Sequence, residues 1–224
     1  GSQGAAGAAG AGGKKLWLTR VSPRYLTVKV LFFLFYSSLG AVMPYLPVYY
    51  HSLNIPDRQM GHLGAITPAM TFLVSPLWGA LTDKTGRLKE ILVFTFVASV
   101  LFRISLAARQ SFTWIVSVIT LTAIVNAPVR PLLDSSVLNL LEDKKEYGKQ
   151  RLWGQWGFGV GSFLTGRLLT KLGYKVAFTL HAMFSLPTLL ILFHFSPKKE
   201  GKKTPPKFRE GLKLVAKDAD VLVS

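Results

Sequence analysis

Apolar residues recur along this chain in six long runs, each close to the roughly 20 residues a helix needs to cross a hydrocarbon core about 30 Å thick. Short loops rich in Gly, Pro and charge separate them. The runs predict spans at about Leu26–Tyr49, Met60–Leu81, Ile91–Ala108, Phe112–Leu133 (extendable to Leu141), Leu152–Leu172 and Val176–Ser196. Ahead of them lies a Gly/Ala-rich stretch from Gly1, with little to bury and no basic region before an apolar core; it reads as a disordered leader, not a cleaved signal peptide. Behind them come a basic, Pro-containing segment, Pro197 to Lys217, and Val221-Leu222-Val223. The domain reading is 1–24 tail, 25–196 transmembrane bundle, 197–217 linker and 218–224 the cut-short start of a further helix, which makes the chain a fragment or an incomplete gene product.

Half of the residues are apolar and 12% aromatic, and mean hydropathy is +0.34. These values also suit a soluble domain; the arrangement in runs decides for a polytopic membrane protein. A net charge of +16 would suggest nucleic acid in a soluble protein. Here the basic residues sit in loops and tails, where topology explains them, so no nucleic-acid partner is expected. Lys14, Lys15, Arg20, Arg24, Lys29, Lys84, Arg87, Lys89, Lys144, Lys145, Lys149, Arg151 and the lysines from Lys198 onward fall on one side; Arg58, Arg109, Lys171 and Lys175 fall on the other. The positive-inside rule places both termini in the cytoplasm and supports an even number of spans. The sequence has no cysteine, which excludes disulfides, thiol catalysis and Cys-ligated metal. No metal-binding His pair at i, i+4, nucleophile elbow or Walker loop appears, so neither enzyme chemistry nor a cofactor is expected.

Lipid gives helices no hydrophobic reason to associate, so small residues mark close contacts. Span two has Gly61, Ala65 and Ala69 at four-residue spacing; span five has Gly154, Gly157, Gly161 and Gly166. The string Gly157-Phe158-Gly159-Val160-Gly161 resembles part of a dinucleotide fingerprint, but a fingerprint needs a preceding strand and a βαβ unit. Helix packing is the expected role.

Between spans two and three the chain reads Gly79-Ala80-Leu81-Thr82-Asp83-Lys84-Thr85-Gly86-Arg87-Leu88-Lys89. This resembles the signature loop of the major facilitator superfamily, Gly-x-Leu-x-Asp-Arg-x-Gly-Arg and a basic residue, with Lys84 where Arg is common. Gly79 is expected to let two helices approach, Gly86 to permit a tight turn, Asp83 to cap or pair, and Arg87 to bridge to a neighbouring helix. The resemblance gives Gly79, Leu81, Asp83, Gly86, Arg87 and Lys89 to a cytoplasmic gate. Gly40, Pro44 and Pro47, with Gly61 leading span two, are similar to the opening of many members. The resemblance implies an all-α membrane fold, the six-helix N-terminal half of a twelve-helix transporter built from two inverted three-helix repeats, with a C-terminal half missing.

The run Tyr147-Gly148-Lys149-Gln150-Arg151-Leu152-Trp153-Gly154-Gln155-Trp156-Gly157-Phe158, following Pro128-Val129-Arg130-Pro131-Leu132-Leu133-Asp134, resembles the lactose permease-like and nucleoside–proton symporter branch. It is most similar to the group called major facilitator superfamily domain-containing protein 6. In sugar–proton members an acid on span four pairs with the equivalent of Arg151, and an aromatic seven residues on stacks against the sugar. Arg151 and Phe158 match; Asp134 is the looser equivalent of the acid.

Independently of the resemblance, Arg151, Gln155, Phe158 and Ser162 share a helical face, as do Asn126, Arg130 and Asp134. Ionisable groups inside spans are functional suspects, yet Asp134, Arg151 and Arg130 are equally open to bracing the gate. Arg103 and Arg167 read as snorkelling or structurally paired. His181 reads as packed and hydrogen-bonded, or as a group titrating near neutrality. Tyr36 and Tyr45 line a cavity or pack as ordinary aromatics. The resemblance implies alternating access for a small polar solute, such as a sugar, oligosaccharide or nucleoside, driven by protons with Asp134 as carrier. A uniporter or exporter, or a non-transporting receptor on the same fold, stays open.

Overall fold

The computed structural model describes residues 23–141 and 143–194. The leader before them, the basic linker and the expected start of a seventh helix lie outside the described residues. All regular structure among those described is helical: α1 (Pro23–Val42), α2 (Leu46–Ser52), α3 (Asp57–Thr85), α4 (Leu88–Ser105), α5 (Phe112–Asn126), α6 (Val129–Leu140), α7 (Tyr147–Leu172) and α8 (Lys175–His194). The breaks follow proline chemistry. Pro lacks the N–H and clashes with the carbonyl four residues back, so Pro44 and Pro47 interrupt the first span with one 3₁₀ turn, Met43–Tyr45, and Pro128 separates α5 from α6. Across these breaks the chain keeps its course, giving apolar helical stretches Tyr25–Ser52 and Phe112–Leu140.

With α3 and α8, four stretches are long and apolar enough to cross a membrane. The protein is therefore an all-α, multi-pass integral membrane protein. The sequence reading expects six spans. Helices occupy all six places, but α4 carries Lys89, Glu90 and Arg103 within its 18 residues, and α7 spends much of its length on glycine and charge. Polarity is what removes these two from the membrane-spanning class; both are helical throughout.

A second departure is the signature segment. At 29 residues, α3 is about 44 Å long at 1.5 Å per residue, longer than the bilayer core. Gly79 to Thr85 therefore continue the helix, and only Gly86 and Arg87 form the turn. Gly86 ends α3 in the left-handed region (φ 64°) and donates its N–H to the Thr82 carbonyl at 2.8 Å, a glycine-terminated helix end. Likewise α7 starts at Tyr147, not near Leu152, because Asp143 accepts a hydrogen bond from the Lys145 N–H at 2.9 Å and turns the chain into it.

α1 and α7 are the central pair. They run parallel, with Lys29 over the Trp153 ring and Tyr45 bonded to Ser162. Their backbones touch: a Cβ on Gly157 would collide with the Phe33 carbonyl, one on Gly161 with the Ser37 carbonyl, and one on Gly40 with the Phe158 carbonyl. Such approach lets side chains bond directly to the opposing main chain. Ser37 donates to the Gly157 carbonyl at 2.9 Å, and Ser162 donates to the Gly40 carbonyl at 3.0 Å. The glycine stripe of span five thus packs as expected, and the dinucleotide-like string lies wholly inside α7. The stripe of span two does not: Gly61, Ala65 and Ala69 are exposed, and nothing lies within 4 Å of a Cβ on Gly61.

Two apolar clusters stack along the bundle. One joins Val28, Leu31, Phe32, Phe35, Leu92 and Val137 with their neighbours; the other joins Val42, Tyr49, Tyr50, Leu106, Ile115 and Phe178 with theirs. The α3–α4 and α6–α7 connections lie at the first end and carry Lys84, Arg87, Lys144 and Lys145; the opposite end carries Arg58, Arg109, Lys171 and Lys175. α3 is left almost bare, with Phe72 81% exposed. A bare apolar helix of this kind needs lipid or more protein against it.

Candidate functional site

At the basic end, residues from α1, α6 and α7 converge. Arg151 opens the second turn of α7, Asp134 lies on α6, and Tyr147 begins α7. Asp134 and Arg151 form no ion pair; Lys149–Glu146, at 2.7 Å, is the sole one among the described residues. Tyr147 lies near both, close enough for its phenol to interact electrostatically with the Asp134 carboxylate and the Arg151 guanidinium. Tyr36 of α1 closes the group. Its ring lies edge-on to Phe35 (centroids 5.2 Å, 88°) and against the bare backbone of Gly154, where a Cβ would come within 2.6 Å of the ring. The Arg130 guanidinium sits over its face at 5.5 Å.

Five groups on three helices thus form one polar cluster with two cations and one carboxylate. Tyr36 is buried and Asp134 half-buried, while Arg130 and Arg151 are exposed. The helix positions explain the division. Gln150, Gly154, Gly157 and Gly161 are the buried stripe of α7; Arg151 and Gln155 fall one residue along, on the edge leaving the α1 contact. Arg130 lies within cation–π range of Tyr36 and is exposed, so its N–H groups are accessible to a solute. Such an arrangement can grip a polar solute through guanidinium N–H groups and move a proton between carboxylate, phenol and solute.

The other candidates separate from this cluster. Phe158 is half-buried and packs against the first apolar cluster. Gln155 is exposed, and Asn126 is half-buried at the end of α5. Tyr45 donates its hydroxyl to the Ser162 carbonyl at 2.6 Å, so it ties α7 to the proline-broken segment. Tyr147 is the residue that sequence reasoning quoted within a motif but gave no role; its Tyr-Gly-x-x-Arg position, one helical turn before Arg151, is the signal that marks it. Arg103 is corrected. It does not snorkel: it is 5% exposed and belongs to no ion pair among the described residues.

The signature residues also differ from expectation. Gly79 meets nothing within 4 Å. Asp83 and Arg87 are exposed, neither belongs to an ion pair among the described residues, and Arg87, the N-cap of α4, makes no side-chain cap. Leu81 is 43% exposed. Lys89 makes the link instead, donating to the Phe193 carbonyl at 2.7 Å and joining the start of α4 to the end of α8. A lysine on the last carbonyls of a helix is favoured by its dipole.

Residues 25–220 match the pattern of the MFS_1 like family. The chain belongs to this family. It is similar to a maltose permease of Geobacillus stearothermophilus, 30% identical over 151 residues covering 66% of this chain and 38% of the relative. It is also similar to a probable 3-phenylpropionic acid transporter of Escherichia coli, 27% identical over 168 residues covering 74% and 44%. A third relative is a multi-drug resistance efflux pump PmrA homolog of Lactococcus lactis, 27% identical over 177 residues covering 74% and 44%. The chain thus spans 38 to 44% of the length of these relatives.

Proposed function

We propose that the chain is the six-helix N-terminal half of a secondary active transporter that moves a polar organic solute with protons by alternating access. The observation that carries the proposal is the Asp134–Tyr147–Arg151 arrangement, with Arg130 stacked on Tyr36 beside it. Arg151 and Arg130 hold the solute, and Gln155 and Asn126 line the same pathway. Asp134 is the proton carrier. Phe158, further along α7, offers the solute an apolar surface. In this reading α4 and α7 also cross the bilayer, their charges facing protein or water, and the basic end is cytoplasmic. A C-terminal half covers bare α3, and the Gly79–Lys89 segment, with Asp83 and Arg87 free, finds its partners there. Similarity to a maltose permease supports a sugar or oligosaccharide as the solute. The Tyr147–Phe158 run supports the lactose permease-like and nucleoside–proton branch, within it the group of major facilitator superfamily domain-containing protein 6.

The test is uptake by the full-length protein in proteoliposomes. Maltose or uridine is expected to accumulate when the outside is made acidic, and Arg151→Ala to abolish accumulation. Flux of either solute that ignores the proton gradient would replace symport by uniport or export, the direction named for the Lactococcus relative. Undiminished uptake by Arg151→Ala would remove the cluster from the pathway.

A further inference from the structure

A proline inside a helix leaves the carbonyl four residues before it with no helical N–H to accept from. Pro68, Pro76 and Pro187 lie inside unbroken helices. The carbonyls they free belong to Gly64, Phe72 and Met183, all exposed, and no side chain donates to them among the described residues. The first proline of each broken span is answered differently, from a neighbouring helix. Pro44 frees the Gly40 carbonyl, and Ser162 of α7 donates to it at 3.0 Å. Pro128 frees the Ile124 carbonyl, and the indole Nε1–H of Trp78 on α3 donates to it at 2.8 Å. In both places a side chain supplies from outside the bond that the helix has lost, which makes a broken helix tolerable away from water.

The second of these bonds bears on the polar cluster. The main-chain ladder is intact on either side of the break: Ala127 donates to the Ala123 carbonyl at 3.1 Å, and Leu132 to the Pro128 carbonyl at 3.0 Å. Between them Pro131 removes a further donor, that of the Ala127 carbonyl. The backbone alone therefore fixes poorly the direction in which α6 leaves α5. Arg130 and Asp134 lie in the first two turns of α6, and the Arg130 guanidinium sits 5.5 Å from the centre of the Tyr36 ring, so a small rotation at the break carries both away from α1. Trp78 is half-buried on a helix whose other commitments are few: Leu63 and Thr82 are its buried residues. Its bond to Ile124 is the one side-chain hydrogen bond from α3 to another helix among the described residues.

We propose that Trp78 is a positioning residue for Arg130 and Asp134: its indole N–H holds the carbonyl freed by Pro128 and so fixes the bend at which α6 presents the cluster. The effect on a solute rests on the transport reading above; the bond and the bend do not. A tryptophan two turns before the end of a long helix has a plainer use, as an anchor in the headgroup region. Anchoring depends on the bulk and amphipathy of the ring and is indifferent to Pro128. Positioning is not, because an N–H at residue 128 would give the Ile124 carbonyl a donor of its own.

The test uses full-length protein in detergent and compares Trp78→Phe, Pro128→Ala and the double variant. Phenylglyoxal modifies accessible arginines. Its rate at Arg130, read by mass spectrometry against the exposed Arg58, reports how firmly the guanidinium is held at Tyr36. Trp78→Phe is expected to raise that rate about threefold, the population change that corresponds to one hydrogen bond between membrane helices. In the Pro128→Ala protein the same change should leave the rate where it was. An equal rise in both backgrounds makes the indole a packing or anchoring group and overturns the proposal, as does no rise in either. Should Pro128→Ala fail to fold, amide exchange decides: Trp78→Phe should speed exchange in a peptide covering 125–133 and not in one covering 113–121, and a uniform or absent change overturns the bend. In proteoliposomes Trp78→Phe should raise the KM for maltose several-fold and keep the maximal rate within about twofold, the signature of weakened solute binding. Faster labelling with an unchanged KM would keep the role of Trp78 and remove Arg130 from the solute's grip, so the two readings fail separately.

Discussion

Gly161 of α7 lies directly against the backbone carbonyl of Ser37 on α1, with no room for a Cβ between them. The contact belongs to the extensive α1–α7 seam, in which two helices approach through glycines and bond side chain to main chain. Gly161→Ala must push the backbones apart, and overpacking of this kind costs about 1–3 kcal/mol. Gly61→Ala meets open space and replaces a poor helix former, so it should be neutral or slightly stabilising. Thermal melts of the two variants in detergent are expected to fall on opposite sides of each other, with Gly161→Ala well below wild type.

Tyr45 is a brace. Its hydroxyl satisfies the Ser162 carbonyl where Pro44 and Pro47 have broken the regular helix, and Gly166 makes space for it. Tyr45→Phe should cost about 0.6 kcal/mol, the usual worth of a hydrogen bond between membrane helices. It should lower the melting temperature slightly and leave the preference between maltose and uridine in the uptake assay unchanged. A reversed preference would return Tyr45 to the cavity.

Lys89 offers a cleaner handle on the basic end than the acidic residue of the same segment. Its ammonium holds the Phe193 carbonyl; Asp83 holds nothing among the described residues. These 224 residues contain no cysteine, so a cysteine at Phe193 can be labelled as the single thiol of this chain, with the protein lacking it as the background control. Lys89→Ala in that protein should raise the rate of thiol labelling several-fold by freeing the end of α8, whereas Asp83→Asn should leave it unchanged.

The limits of the sequence are visible in these residues. Four spanning stretches were legible because apolar length is a one-dimensional quantity, and the α7 glycines because close backbone approach demands glycine whatever the partner. Which stripe packs inside this chain was not legible: Gly61-x3-Ala65-x3-Ala69 reads the same as the α7 stripe, and only the fold shows it bare. Thr82 to Thr85 read as loop because they are polar, but a helix longer than the bilayer keeps its polar end helical. Arg103 read as snorkelling because its level in the membrane can be counted, whereas its rotation towards α8 cannot. Arg151 and Asp134 were identified by type and spacing. The phenol near both was not, since it reaches them through a turn whose shape depends on Asp143.

That phenol yields the sharpest prediction about the cluster. Tyr147 is in range of both charged partners, so Tyr147→Phe removes one hydroxyl and little volume. The phenol then no longer acts on Asp134 or Arg151, and a loss of about 1.4 kcal/mol there gives about a tenfold fall in proton-driven uptake. Proton-independent exchange of solute across the same vesicles should fall less, because Arg151 and Arg130 still hold the solute. Arg130→Lys should do the reverse. Lysine keeps the charge but loses the planar stack on Tyr36 and the fork, so solute affinity should weaken while the dependence on the proton gradient persists. Equal losses in driven uptake and in exchange for both variants would mean that the cluster braces the bundle and carries neither solute nor proton.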